Sequence, residues 1–240
     1  MLTRSPRSRP KSKKPSSSRR AVPTKRRASS REGLPEWNLT DLYPAIDAPE
    51  IRRDLDHARA EAVAFEAAYK GKLAELARRP DGGGLLAEAI RRLEALDDLI
   101  GRLMSFASLV HAGDTTDPAR AKFFGDVQGE ITAISLHLLF FTLELNHIDD
   151  ELLEAAMADP GLRHYRPFID VVRLEKPYQL EDRVEQLFHE KSITGFSAWN
   201  RLFDETIAGL RFQIAGKTLP LEPTLNLMQD KDERIRKAAA

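Results

Sequence analysis

From Ile51 onward, apolar residues return at three- and four-residue spacing. Ile51, Leu55, Ala58, Ala62, Phe65, Tyr69 and Leu76 fall on one helical face. Ahead of them Asp47-Ala48-Pro49-Glu50 reads as a capping-box-like start, with proline in the first turn, where its missing N–H costs nothing. Pro80 to Gly84 interrupts the pattern. A second helix then carries Leu86, Ile90, Leu93, Leu96, Ile100, Leu103, Ala107 and Val110 on one stripe. Thr116-Asp117-Pro118 is another start signal, a cap residue followed by proline. It predicts one long helix packing Phe123, Val127, Ile131, Ile134, Leu138, Phe141 and Leu145. Shorter helices are expected at about 149–158, 161–174, 180–191 and 196–209.

The helical period fails once. Leu210 to Leu219 alternates apolar and polar residues around Ala215-Gly216, the pattern of a small hairpin. The fold class expected is all-α, a multi-helix bundle-like scaffold with one small β-hairpin near 210–221. No internal repeat of fixed period is present. Asp230 to Glu233 is a further helix start, followed by Arg234-Ile-Arg-Lys-Ala-Ala-Ala240 with no stop signal. The expectation is a chain that stops within an element.

Charge divides the molecule. The 37 Lys/Arg balance the 37 Asp/Glu, yet residues 1–31 hold twelve of the bases and no acid, leaving a body of net −12. That Ser/Pro/Arg/Lys segment has little to bury and is expected to be a disordered basic tail. Its functional readings are an arm for nucleic acid or another anionic surface, or a targeting peptide. It lacks the aromatic residues of base stacking and the amphipathic stripe of an import peptide, so the reading preferred is a dispensable extension or an upstream start codon. The absence of cysteine excludes disulfides and thiolate metal sites. No apolar window reaches the roughly 18 residues of a membrane span, and no signal-peptide core follows the basic start, so a cytoplasmic location is expected.

Candidate chemistry is thin. A zinc peptidase needs two histidines one helical turn apart with a glutamate between them. His189-Glu190 supplies the first half, but Ile193 stands where the second histidine belongs, and isoleucine cannot bind zinc. His189 is expected at a helix C-terminus, where a cation suits the dipole. Glu144-x-x-His147 has the spacing of a di-iron bundle, but no second copy exists, and His147 reads as another helix-terminal cation. His57, His111, His137 and His164 are scattered without ligand spacing. Gly82-Gly83-Gly84 lacks a following Lys-Ser/Thr in P-loop register and reads as a flexible interhelix loop. Gly195-Phe-Ser197-Ala-Trp199 lacks the last glycine of a nucleophile elbow. No catalytic, metal-binding or substrate-binding residue is assigned from these patterns.

Several segments, taken in order, resemble another protein. Leu34-Pro-Glu-Trp-Asn-Leu-Thr-Asp-Leu-Tyr-Pro44 is similar to the opening of the oligoendopeptidase F group of zinc peptidases, the M3 family. His111-Ala-Gly-Asp-Thr-Thr-Asp117 follows in place. Glu175-Lys-Pro-Tyr-Gln-Leu-Glu-Asp-Arg-Val-Glu-Gln-Leu187 resembles the family's Lys-Pro-His-x-Leu segment, with Tyr178 where histidine is more usual. Gly195-Phe-Ser-Ala-Trp-Asn-Arg-Leu-Phe-Asp-Glu205 and Asp232-Glu-Arg-Ile-Arg-Lys-Ala-Ala-Ala240 complete the order, over about residues 34–240. The resemblance implies a helical metallopeptidase that cuts internal bonds of short peptides in the cytoplasm. Its zinc ligands, a His-Glu-x-x-His pair and a later glutamate, would all lie beyond Ala240. Residues 32–222 would form the non-catalytic helical domain, and 223–240 the start of the catalytic region. The chain alone is then expected to bind no zinc and to be inactive. The alternative is a stand-alone helical interaction protein with a nucleic-acid-binding tail. Oligomeric state is left open.

Overall fold

The computed structural model describes residues 37–240; the basic stretch 1–31 and its expected disorder lie outside them. The described chain is helical apart from one two-stranded hairpin. Helix α1 spans Pro49–Tyr69. Its N-cap is Ala48 with no side-chain cap, so the capping box expected at Asp47 does not form. Proline at N1 starts the helix, by holding the preceding residue extended. Gly71, at φ +77°, ends the run. The face expected to continue to Leu76 therefore divides, and α2 (Leu73–Arg78) follows as a separate element.

Helix α3 covers Gly82–Gly113 and carries the expected stripe, buried from Leu86 through Ala107. The three glycines are not the flexible loop the sequence suggests, for they form its first turn. A Cβ on Gly82 would stand 2.6 Å from the carbonyl oxygens of Leu76 and Ala77, and one on Gly83 would stand 2.4 Å from that of Ala156. Glycine is needed there for close approach.

Helix α4 (Pro118–Ser135) begins as expected, with Asp117 accepting from the backbone N–H of Ala119 at 2.8 Å and Arg120 at 3.4 Å. It does not run on to Leu145. Thr132 bonds back to the Gln128 carbonyl, and tight i→i+3 bonds at His137 and Leu138 close a turn before α5 (Leu139–His147). The break has a packing reason. A continuous 3.6-residue stripe would bury one face, whereas α5 buries Phe140, Phe141, Leu143, Leu145 and Asn146 together. Phe65 is the hub, with ring centroids 4.9 Å from Tyr69, 5.8 Å from Phe140 and 5.4 Å from Phe141.

Asp149 and Asp159 cap α6 (Asp150–Ala156) and α7 (Pro160–His164). The helix expected over 161–174 is split at Tyr165, because Pro167 has no N–H to continue it, and α8 is Arg166–Leu174. After a 3-10 turn at Lys176–Tyr178 come α9 (Asp182–Ser192) and α10 (Phe196–Gly209). The hairpin pairs β1 (Phe212–Ile214) with β2 (Lys217–Leu219). Ala215 at φ 50° and Gly216 at φ 77° make the doubly left-handed turn that suits a two-residue hairpin. Helix α11 (Leu221–Leu227) crosses residues 222–223, and α12 (Glu233–Ala239) is capped by Asp232.

The Trp37–Pro44 segment is fastened by a polar network. Tyr43 donates its O–H to Asp54 Oδ2 at 2.9 Å, and Arg102 of α3 donates to the same oxygen at 2.7 Å. Arg102 also lies 5.3 Å over the Tyr43 ring. Burial pushes the Tyr43 phenol up, and its hydrogen bond to Asp54 adds to this, to about 12. Burial works to raise Asp54, but the Tyr43 bond and the Arg53 and Arg102 charges outweigh it and hold the carboxyl below 3.8.

Candidate functional site

The described histidines all have places that are not metal sites. His137 Nδ1 lies 2.5 Å from Glu66, whose carboxyl is lowered by that bond and by Lys70. His111 is buried and stacked on Phe124, with centroids 5.1 Å apart and planes 7° from parallel. His164 packs edge-on against Tyr165, and His57 is exposed on α1. His189 falls in the last turn of α9, as expected, with Ile193 as the helix's C-cap. His147 falls in the last turn of α5, as expected. Gln179 donates to the Leu143 carbonyl at 3.3 Å, and its side-chain nitrogen lies 3.1 Å from His147 Nε2.

Glu144 has a definite task, and the sequence hides it. Its carboxylate accepts from the backbone N–H of Gly71 at 2.6 Å and Leu73 at 3.5 Å. Lys72, at the N-cap of α2, has no side chain that can accept, and Glu144 supplies the cap from α5. Among the described residues no three His, Asp or Glu side chains gather as a metal would need. The described residues therefore do not fit a zinc site.

An open groove of about 810 Å³ lies between α1 and α4, with Gly125, Gly129 and Ala133 in its lining. Its charges are largely answered internally, since Arg52 and Arg59 of α1 both reach Glu130 of α4.

The feature that sequence reasoning missed lies on α9 and α10, neither of which buries a single residue. Phe196 is 76% exposed, Trp199 70%, Phe203 64% and Phe188 63%, with Leu187 and Leu202 also exposed. On α10, positions 196, 199 and 203 recur at i, i+3 and i+7, so their side chains share one stripe. A core helix gives the same periodicity. The one signal available in sequence was the density of large aromatics, which is typical of interface anchors. Gly195 caps this helix in a loop conformation and starts no nucleophile elbow.

The fold and this face define a class: a helical scaffold with large aromatic side chains left unburied near its C-terminal side. Residues 144–212 match the family model described as oligopeptidase F, of the N-terminal M3 peptidase type. Oligoendopeptidase-F from Enterococcus faecium shares the fold at a TM-score of 0.65, with 18% identity over 79% of this chain and 38% of that one. A Chlamydophila abortus protein with a provisional peptidase assignment aligns at a TM-score of 0.49 and 17% identity, over 87% of this chain and 36% of its own. No curated protein gives a significant match. The resemblance read from the ordered segments is thus supported: the chain resembles an oligoendopeptidase F-like N-terminal portion. It spans 38% of the length of the Enterococcus protein.

Proposed function

We propose that this chain is the N-terminal, non-catalytic portion of a zinc-dependent oligoendopeptidase that hydrolyses internal bonds of short peptides in the cytoplasm. The observation that carries this reading is the oligopeptidase F match over residues 144–212. In this reading residues 32–222 are the helical domain, 223–240 begin the catalytic region, and the helices wall a channel that admits only short peptides. The described residues offer no donor set for the zinc, so no chemical step is assigned to them. Their work is to bound and shape the space around the peptide.

The test uses a quenched fluorescent peptide and elemental analysis of the 240-residue chain, after mild chelation and zinc restoration. The expected result is no turnover and no stoichiometric zinc. One tightly held zinc per chain, with turnover abolished by His189→Ala or Glu190→Ala, would overturn the proposal. A longer product of the same locus, carrying His-Glu-x-x-His, is expected to gain zinc and activity together.

A further inference from the structure

The hairpin that follows α10 leaves a backbone edge open. Its two-residue turn at Ala215-Gly216 makes Ile214 and Lys217 the hydrogen-bonded pair that closes the ladder, and bonded and non-bonded pairs alternate from there. Gln213 and Thr218 are then a non-bonded pair, drawn close enough for Gln213 Nε2 to donate to Thr218 Oγ1 at 2.7 Å. The backbone N–H and C=O of Gln213 therefore point away from β2, and the same alternation turns those of Arg211 outward. Among the described residues no bond outside the hairpin reaches these groups, and both residues are exposed. Strand β2 offers less. Its outer edge runs into Pro220, which has no N–H and whose carbonyl already accepts from Thr224.

An exposed edge of this kind takes another extended chain as its next strand. Charge selects the chain. Residues 206–221 hold Arg211 and Lys217 and no acid, within an otherwise acidic body. Arg211 is fixed by its Nη1, which donates to the carbonyls of Ala208 and Leu210 at 2.7 Å each, and among the described residues no carboxylate pairs with it or with Lys217. Its Nε and Nη2 stay open to an anion. A second copy pairing edge to edge would bring two such Arg211 side chains onto one short strand, and the stretch 1–31 carries the same sign. A short peptide with a free C-terminus supplies the strand and the anion together. Laid antiparallel to β1, the better-bonded direction, it has its C-terminal end beside Arg211.

We propose that the outer edge of β1 is a binding site for short extended peptides, in which Gln213 pairs with the peptide backbone and Arg211 holds the terminal carboxylate. The choice of occupant rests on the peptidase reading above; the open edge and its charge do not. The proposal gives this part of the chain a direct hold on the peptide, in addition to walls around it.

The test is an NMR titration of the isotope-labelled, zinc-free 240-residue chain with acetyl-Thr-Val-Thr-Val-Ala carrying a free carboxylate. Amide shifts are expected to centre on Arg211–Ile214, with exchange of the Gln213 amide slowed about tenfold. The same peptide as its C-terminal amide should bind about tenfold more weakly or worse, the loss of a charge-assisted bond. N-methylation of one alternate set of peptide amides should abolish binding, and of the other set should leave it, because only one set faces the edge. Gln213→Pro removes a donor that the hairpin does not use, so it should lose the peptide and keep the melting temperature. Arg211→Gln should bring the carboxylate peptide down to the affinity of the amide and leave the amide's affinity unchanged, a coupling that mere loosening of α10 would not produce. Shifts away from the hairpin, equal affinity for acid and amide, or no binding at millimolar peptide overturn the proposal. Self-association lost with Gln213→Pro overturns it in favour of a second copy. If a longer product carrying His-Glu-x-x-His cuts peptides that this hairpin ignores, the peptidase reading stands and the proposal alone falls. If the hairpin binds as described and the longer product has no activity, the site stands and the peptidase reading falls.

Discussion

Asp54 gathers three partners on one buried side chain: its carboxylate is 8% exposed and binds Tyr43, Arg53 and Arg102. Tyr43→Phe removes one donor and keeps the ring, and is expected to cost about 1 kcal/mol in chemical denaturation. Asp54→Ala leaves the Tyr43 hydroxyl buried without its acceptor and should cost more, about 2–3 kcal/mol. The pH dependence follows from the directions of the shifts. Asp54 and Glu66 are both lowered from 3.8 and 4.5, so their stabilisation is present above those values and is lost as pH falls through the lower folded ones. Tyr43 is raised, so its contribution is complete below pH 10.0 and disappears as pH climbs toward about 12. Melting curves of wild type and of Asp54→Asn should therefore converge at acid pH. A constant gap down to pH 2 would refute this account.

Among the elements, those whose signals are local were legible in the sequence. The Asp117 cap, the α3 stripe and the Ala215-Gly216 turn depend on neighbours a few residues away, and each lies where the pattern put it. What depends on distant partners was not legible. The break between α4 and α5 exists because two adjacent phenylalanines meet the Phe65 cluster, and Glu144 caps a helix 71 to 73 residues upstream. Two element-scale tests follow. Glu144→Ala should destabilise the fold by about 1–2 kcal/mol, with hydrogen exchange accelerated first in α2. Ala215→Asn should stabilise by roughly 0.5–1 kcal/mol, because asparagine tolerates the left-handed backbone that alanine adopts there at φ 50°. A loss of stability at that position would mean the turn is not doubly left-handed.

On the scale of the whole molecule, burial is uneven. The core cluster runs from Tyr43 to Ile169, within the leading segment and α1 to α8, while α9 and α10 contribute no buried residue. Opening free energy should follow that division. Amides of α9 and α10 are expected to exchange at least about tenfold faster than those of central α3, and within residues 37–240 limited proteolysis should cut first at 179–211. Uniform protection across both parts would count against an unburied face. Here the sequence misleads for a definite reason: Phe196, Trp199 and Phe203 have the spacing of core residues, and hydrophobic periodicity does not say whether the covering surface belongs to this part of the chain.

The Glu144 cap also bears on how the protein is made. Helix α2 has six residues, too few to persist alone, and its missing N-terminal acceptor is encoded 73 residues after Gly71. At a synthesis rate of about 5–20 residues per second, the ribosome extrudes α2 roughly 4 to 14 seconds before the side chain that completes it. During that interval the Gly71–Leu73 backbone must be satisfied by water. The N-terminal helices therefore cannot close as a finished unit behind the ribosome, and α5 is the latch whose arrival lets them do so.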